Sequence, residues 1–253
     1  LSFDLATDIA RFRRLVEEKF SFNKGKEEIV DFINSYLYVD RNAAESIYNY
    51  FREQCLFAEI PHDKKIIIEQ FSEKGRSTVV FHTLFGRRVN DCLSRAVGFA
   101  ISRTQHRDVE VGITDNGFFI ASERPINAAA AFKLLKHDKL KEVLSAAIEH
   151  TEVLKRRFRH CASRALMILR EYMGHRKRVG RQQVSSQILI NAVRRISNDF
   201  CILKEARREV LEDLMDIENS VQVLRLVEEG KIRVKQLNTL MPSPFAFSIV
   251  LEA

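Results

Sequence analysis

The chain has 253 residues, 45% hydrophobic and 30% charged, with a net charge of +7. That balance suits a globular protein and excludes disordered and fibrous classes; the length allows one large domain or two small ones. No apolar run is long enough to span a bilayer, and Leu1–Ala10 lacks the basic flank and apolar core of a signal peptide.

Along residues 4–18, Leu5, Ile9, Phe12 and Val16 recur at three- and four-residue spacing, which predicts an amphipathic helix with Asp4 near its cap. The pattern repeats over 25–37 through Ile29, Phe32, Ile33 and Leu37. Asp40 opens a third helix, 41–57, with Ala44, Ile47, Tyr48, Phe51 and Cys55 on one side, and Pro61-His62-Asp63 ends it. The period then changes. KKIIIEQF (64–71) and STVVFHTL (77–84) are β-branched and aromatic, separated by a glycine-bearing turn, and predict a hairpin. Residues 87–103 return to helical spacing. DVEVGIT (108–114) and FFIASE (118–123) flank Asp115-Asn116-Gly117, a second hairpin signal.

From 126 the chain is again helical, with Asn127, Asp138 and Thr151 as N-caps. A long helix is predicted over 152–173, with Phe158, Ala162, Ala165, Leu166, Leu169 and Tyr172 inward. Helices near 181–196, 204–216 and 219–229 follow. IRVKQL (232–237) reads as a strand, and AFSIVL after the rigid Pro242-Ser243-Pro244 as a last one. The expected fold is α+β: mostly helical, with a small antiparallel β-sheet built from two hairpins near 64–123 and C-terminal strands near 231–250. Few prolines and glycines predict a single domain over 1–253, with a helical part (1–60), a β-rich part (61–125), a basic helical part (126–230) and the C-terminal strands (231–253).

The charge is unevenly placed. Residues 152–208 hold fifteen Lys and Arg against four Asp and Glu, a net +11, which leaves −4 for the rest. Twelve of the fifteen are arginines, whose planar fork suits phosphate oxygens. Such a block is the footprint of a polyanion partner, most often nucleic acid. The competing reading is a solvated face neutralised by acidic segments such as 209–229.

Cys55, Cys92, Cys161 and Cys201 have no metal-ligand spacing and read as reduced, buried thiols of a cytoplasmic protein. No phosphate-binding loop, dinucleotide fingerprint, zinc-protease or nucleophile-elbow motif occurs. His82 lies in an alternating strand and reads as a hydrogen-bonded structural residue. Asp115 is explained by its turn. Glu212, Asp213 and Asp216 cluster as two-metal sites do, but a solvated acidic face accounts for them. No catalytic residue and no metal or cofactor site is expected in this chain.

Six blocks in order carry a resemblance: FHTLFGRRVNDCLSRAVGFAISR (81–103), DVEVGITDNGFFI (108–120), LKRRFRHCASRALMILREY (154–172), RVGRQQVSSQIL (178–189), REVLEDLMDIENSVQVLRLVEEGKIRV (208–234) and PSPFAF (242–247). Together they resemble the DEAD/H-associated domain of Lhr-type superfamily-two helicases. The likeness covers most of 1–250 and is clearest from 79 onward. It implies a parent enzyme that translocates on single-stranded DNA in the 3′ to 5′ sense, with DNA repair as its setting. It implies two RecA-like motor domains and a winged helix in the same polypeptide as partners. ATP and Mg would belong to that motor, which has no counterpart here, so the chain is not expected to hydrolyse ATP alone. The Leu1 start fits a piece of something longer.

An accessory domain of such an enzyme would supply cations along a single-stranded or partly duplex nucleic acid. The candidates are Arg87 and Arg88 at a helix start, Arg156, Arg157 and Arg159 on the long helix, and Arg176, Lys177, Arg178, Arg181, Gln182 and Gln183 in and after a glycine-punctuated loop. Phe118 and Phe119 straddle a strand, which would turn one of them outward. The alternative function is a docking scaffold that packs on the motor or a partner without touching nucleic acid. No membrane partner is expected.

Overall fold

The computed structural model describes residues 1–252 except Lys74, Arg170 and Lys177; the side chains of Tyr172, Arg176, Arg181 and Gln182 also lie outside the description. The chain divides into two compact units, one of Leu1–His137 with Asn219–Ala253, the other of Asp138–Glu218.

The first unit opens with α1 (Phe3–Ser21), α2 (Lys26–Leu37) and α3 (Arg41–Phe57), the last running over the residues its spacing predicts. Ser2 and Asp40 accept the Leu5 and Ala43 amides and so cap α1 and α3. The three helices bury Phe12, Val16, Ile29, Ile33, Tyr48 and Phe51 in one cluster. On α1 the inward face differs from the predicted one. Ala6 and Ala10 are buried, whereas Leu5 and Ile9 are exposed. The small alanines let α1 lie close to the chain at Gly86, where an added Cβ would sit 3.6 Å from that of Ala6.

Two hairpins follow, β1 (Lys65–Glu73) with β2 (Arg76–His82), and β3 (Glu110–Ile113) with β4 (Phe118–Ser122), separated by α4 (Arg87–Gln105). The second turn is not a positive-φ Asn-Gly turn, since neither Asn116 nor Gly117 has φ above zero. Gly117 is needed instead for close approach: a Cβ there would lie 2.2 Å from the Phe81 carbonyl oxygen. α5 (Ala128–Leu134) completes this stretch, capped by Asn127 as predicted.

The second unit is helical. α6 (Leu140–Ile148) starts at Lys139 without a side-chain cap, so Asp138 does not serve as one. α7 (Glu152–Arg164) is capped by Thr151 and is shorter than predicted. It stops at Ala165, and Leu166 turns left-handed (φ 58°). Leu166 and Leu169 are therefore exposed instead of inward. Two short strands, β5 (Glu171–Tyr172) and β6 (His175–Arg176), meet at Met173-Gly174, both with positive φ, as a two-residue hairpin requires. α8 (Val179–Ile196), α9 (Cys201–Arg208) and a π-helical stretch, Glu209–Leu214, follow. Phe158, Ala162, Ile190, Val193, Leu203 and Val210 are buried within this unit.

The chain ends with α10 (Ile217–Glu228), β7 (Arg233–Asn238) and α11 (Pro244–Glu252). The sheet order is β3-β4-β2-β1-β7. β7 pairs parallel to β1, with Ile66 opposite Val234, so the sheet is mixed and not antiparallel throughout. A parallel pair needs a long crossover, and the chain from β2 through α10 supplies it. The α+β class is as expected, but the predicted last strand is a helix. Pro244 occupies its first turn, and Ser243 Oγ accepts the Ala246 amide at 3.2 Å. A serine followed by proline is a helix-start signal that outweighs the strand propensity of the residues after it.

That helix decides the fate of the paired phenylalanines. Phe119 packs with Phe71, Ala246 and Ile249 on the face covered by α11. On the other face Phe118 stacks on Phe81 at 4.5 Å, with Phe132 of α5 beside it. Both Phe118 and Phe119 are buried, so neither faces outward. Among the cysteines, Cys92 and Cys161 are buried but Cys55 and Cys201 are exposed, which corrects the expectation of four buried thiols.

Candidate nucleic-acid interface

The basic run does not act as +11 once folded. Its compact unit, Asp138–Glu218, holds seventeen Lys and Arg against twelve Asp and Glu, a net +5. Several of the arginines are consumed structurally. Glu209, 5% exposed, pairs with Arg164 and lies 3.7 Å from Arg157. The hydrogen bond to Glu209 raises the Arg164 pKa, while burial pushes the Cys161 thiol up. Glu149 receives Arg194 Nε at 3.1 Å and two nitrogens of Arg207 at 2.9 and 3.0 Å. Arg208 is held by Glu205, Glu212 and Asp213, which raise its pKa. Lys155 bonds Glu152 at 2.7 Å. The acids of 205–213 thus neutralise Arg157, Arg164 and Arg208, as the competing reading anticipated.

A smaller set stays available. Arg156 and Arg159 are one turn apart on α7 and have no ion pair among the described residues. They line a cleft of about 360 Å³ with Gln183, Gln187, Lys155 and the Glu152 carboxylate that Lys155 holds. α7 and α8 pack against each other, which brings Gln183 beside cations 24 or more residues away in sequence. Ser186 and Val184 complete the wall. The cleft therefore combines charge-bearing donors with amides that both donate and accept. Arg178 is exposed at the start of α8, with no ion pair among the described residues. The predicted contacts at Lys177 and at the side chains of Arg176, Arg181 and Gln182 lie outside the described residues.

Arg87 and Arg88 are exposed at the start of α4, in the other unit. Here the helix end already has a carboxylate: Asp115 Oδ1 accepts the Arg87 amide at 3.1 Å. Asn90 Nδ2 donates to the Thr114 and Asp115 carbonyls at 3.0 and 3.1 Å, lashing the hairpin turn to the helix. The positive end of α4 is thus spent on Asp115, which has a role beyond its turn.

His82 is the structural residue its strand position suggests. It is 1% exposed, with Nε2 at 3.1 Å from Glu69 Oε2. No residue spacing points to its surroundings. Glu69, equally buried, also accepts the Ser243 amide and hydroxyl, both at 2.7 Å, and Thr239 Oγ1 at 3.3 Å. Burial pulls the Glu69 pKa up, but the bonds from His82 and Ser243 outweigh it and leave it lowered. Among the described residues no group of His, Cys, Asp and Glu could hold a metal ion, and no helix is long and apolar enough to cross a membrane.

Comparison with known proteins agrees with the fold and the ordered blocks. A family model described as DEAD/H associated matches residues 60–246. The ATP-dependent helicase Lhr-Core of Methanothermobacter thermautotrophicus is 51% identical over all of this chain and 29% of its own length. Lhr-Core of Sulfolobus acidocaldarius is 39% identical, again over all of this chain and 29% of its own. The chain thus spans under a third of the length of these relatives. The Mycobacterium smegmatis helicase Lhr, solved with single-stranded DNA and AMP-PNP, shares the fold with a TM-score of 0.85 at 24% identity, over 98% of this chain and 31% of that one. Most of the chain is matched by one family model and all of it by relatives well above 30% identity, so it belongs to the DEAD/H associated family.

Proposed function

We propose that this chain is the accessory module of an Lhr-type ATP-dependent helicase and holds the tracking single strand through the cleft between α7 and α8. The observation that carries the reading is the contrast within the basic run. Arg157, Arg164, Arg194, Arg207 and Arg208 are each paired with buried or neighbouring carboxylates, whereas Arg156 and Arg159 line a cleft whose carboxylate, Glu152, is bonded to Lys155 and pairs with neither of them. Unpaired arginines beside glutamine amides suit phosphate and sugar oxygens and read no sequence. The chain itself supplies no chemistry. ATP and Mg act in the RecA-like motor domains, and 3′ to 5′ movement is the motor's property.

The test is single-stranded DNA binding against salt. Wild-type affinity should fall steeply as salt rises. In Arg156→Gln/Arg159→Gln the slope of log K against log salt should drop by about 1.4, or 0.7 for each lost phosphate contact. Binding that ignores salt, or an unchanged slope in the double variant, overturns the assignment.

A second reading, docking onto a protein surface, has one observation in its favour. Val184 and Ile188, four apart on α8, are 61% and 66% exposed, with Leu166 and Met173 exposed in the same unit. Under that reading charge reversal at Arg156, Arg159 and Arg178 leaves DNA binding of the intact helicase unchanged, and Ile188→Ser abolishes its unwinding.

A further inference from the structure

A second polar cavity lies in the sheet-bearing unit, well apart in kind from the basic cleft. It measures about 220 Å³ and is lined by Arg13, Tyr50, His82, Asn116, Ser248 and Glu252. The exposed residues Tyr50 and Glu252 mark its mouth, and His82, 1% exposed, its floor. Its size is below the roughly 300–1,000 Å³ of clefts that take drug-sized ligands, and suits a small ion with a few waters.

The polar groups around it are incompletely satisfied, and in one sense. Arg13 has five N–H donors. Nη2 donates to Asn116 Oδ1 at 2.9 Å, and the guanidinium carbon lies 4.8 Å over the Phe245 ring. No carboxylate of the described residues pairs with Arg13, which stays partly exposed and keeps donors free for an anion. Because Oδ1 of Asn116 faces Arg13, its amide hydrogens remain to donate elsewhere. His82 closes the floor: its Nε2 is held by Glu69 at 3.1 Å, and its Nδ1 lies buried beneath the cavity surface, out of a ligand's reach.

We propose that this cavity binds a small tetrahedral oxyanion, phosphate or sulfate, held by the Arg13 guanidinium and the Asn116 amide. The phosphate could be a free ion or the end of a strand; both present the same oxygens. Glu252, beyond ion-pair reach of Arg13, is the carboxylate that a bound anion would have to tolerate at the mouth. The site stands independently of the strand-holding cleft.

Calorimetry and thermal shift with inorganic phosphate at fixed ionic strength test it. Phosphate and sulfate should both bind and raise the melting temperature, since the Arg13 and Asn116 donors serve either ion. Arg13→Gln should abolish the shift. Glu252→Gln, a surface change that leaves the fold intact, should tighten phosphate about threefold by removing a like charge. A 5′-phosphorylated oligonucleotide compared with its unphosphorylated twin separates the sources: tighter binding that Arg13→Gln removes assigns a strand end, and equal binding alongside a phosphate response assigns the free ion. No response to either phosphate, an equal response in Arg13→Gln, or no tightening in Glu252→Gln overturns the proposal.

Discussion

Replacing Glu69 by Gln tests how the sheet is tied to the start of α11. Glu69 sits on β1, receives His82 from β2, and holds Ser243 at the start of α11 through two bonds of 2.7 Å. The carboxylate accepts from every one of these donors. In Glu69→Gln one oxygen becomes a donating amide. If that amide faces His82, the ring can answer by changing tautomer, but the Ser243 hydroxyl loses its acceptor while still accepting from Ala246. Bonds to a charged acceptor contribute about 1.5–3 kcal/mol each, and part of two is lost, so the expected cost is about 3 kcal/mol. For a chain of this size that lowers the melting temperature by roughly 6–12 °C. Urea unfolding followed by circular dichroism measures it. The pH dependence gives a second check. The folded pKa of Glu69 is lowered, so its contribution is fully present above the unfolded carboxylate value and fades as pH falls through the folded one. The gap between wild type and Glu69→Gln should be full at pH 7 and close in acid. A gap under about 1 kcal/mol at pH 7, or one that persists unchanged at pH 3, would refute the role given to this carboxylate.

Two further predictions concern the scaffold. Gly117→Ala places a Cβ 2.2 Å from the Phe81 carbonyl oxygen and 3.0 Å from Ile249 Cδ1, so a paired strand must move; a loss of about 2–4 kcal/mol in denaturant unfolding is expected, and a neutral substitution would contradict the close approach. Glu149→Gln removes the charge that holds Arg194 and Arg207 together, all three side chains being about one-fifth exposed; hydrogen-exchange protection in α8 and α9 should fall by about 2–3 kcal/mol, while β1 and β2 keep theirs.

Local patterns carried much of the fold. The helices over 41–57 and 87–105, both hairpins and the β7 strand follow from hydrophobic period and turn chemistry, which act between near neighbours. The ordered blocks likewise pointed to the family before any coordinates. The misreadings have local causes of a subtler kind. Period alone extended α7 past a left-handed Leu166, and β-branched residues after Pro244 masked a Ser-Pro helix start.

The candidate site was legible only in outline. Sequence placed an excess of arginine between 152 and 208, and that excess was enough to suggest a polyanion partner. Which arginines remain available depends on where carboxylates come to lie in space. Glu149 and Glu209 reach cations 45 and 58 residues away, or an equal 45, and no spacing rule connects them. The same holds for Arg13 and Asn116, which are 103 residues apart, and for Glu69 and Ser243, 174 apart. Short-range chemistry fixes elements because the backbone meets its own neighbours; pairing of buried charge is decided by packing, since only the folded chain brings the partners within a few ångströms.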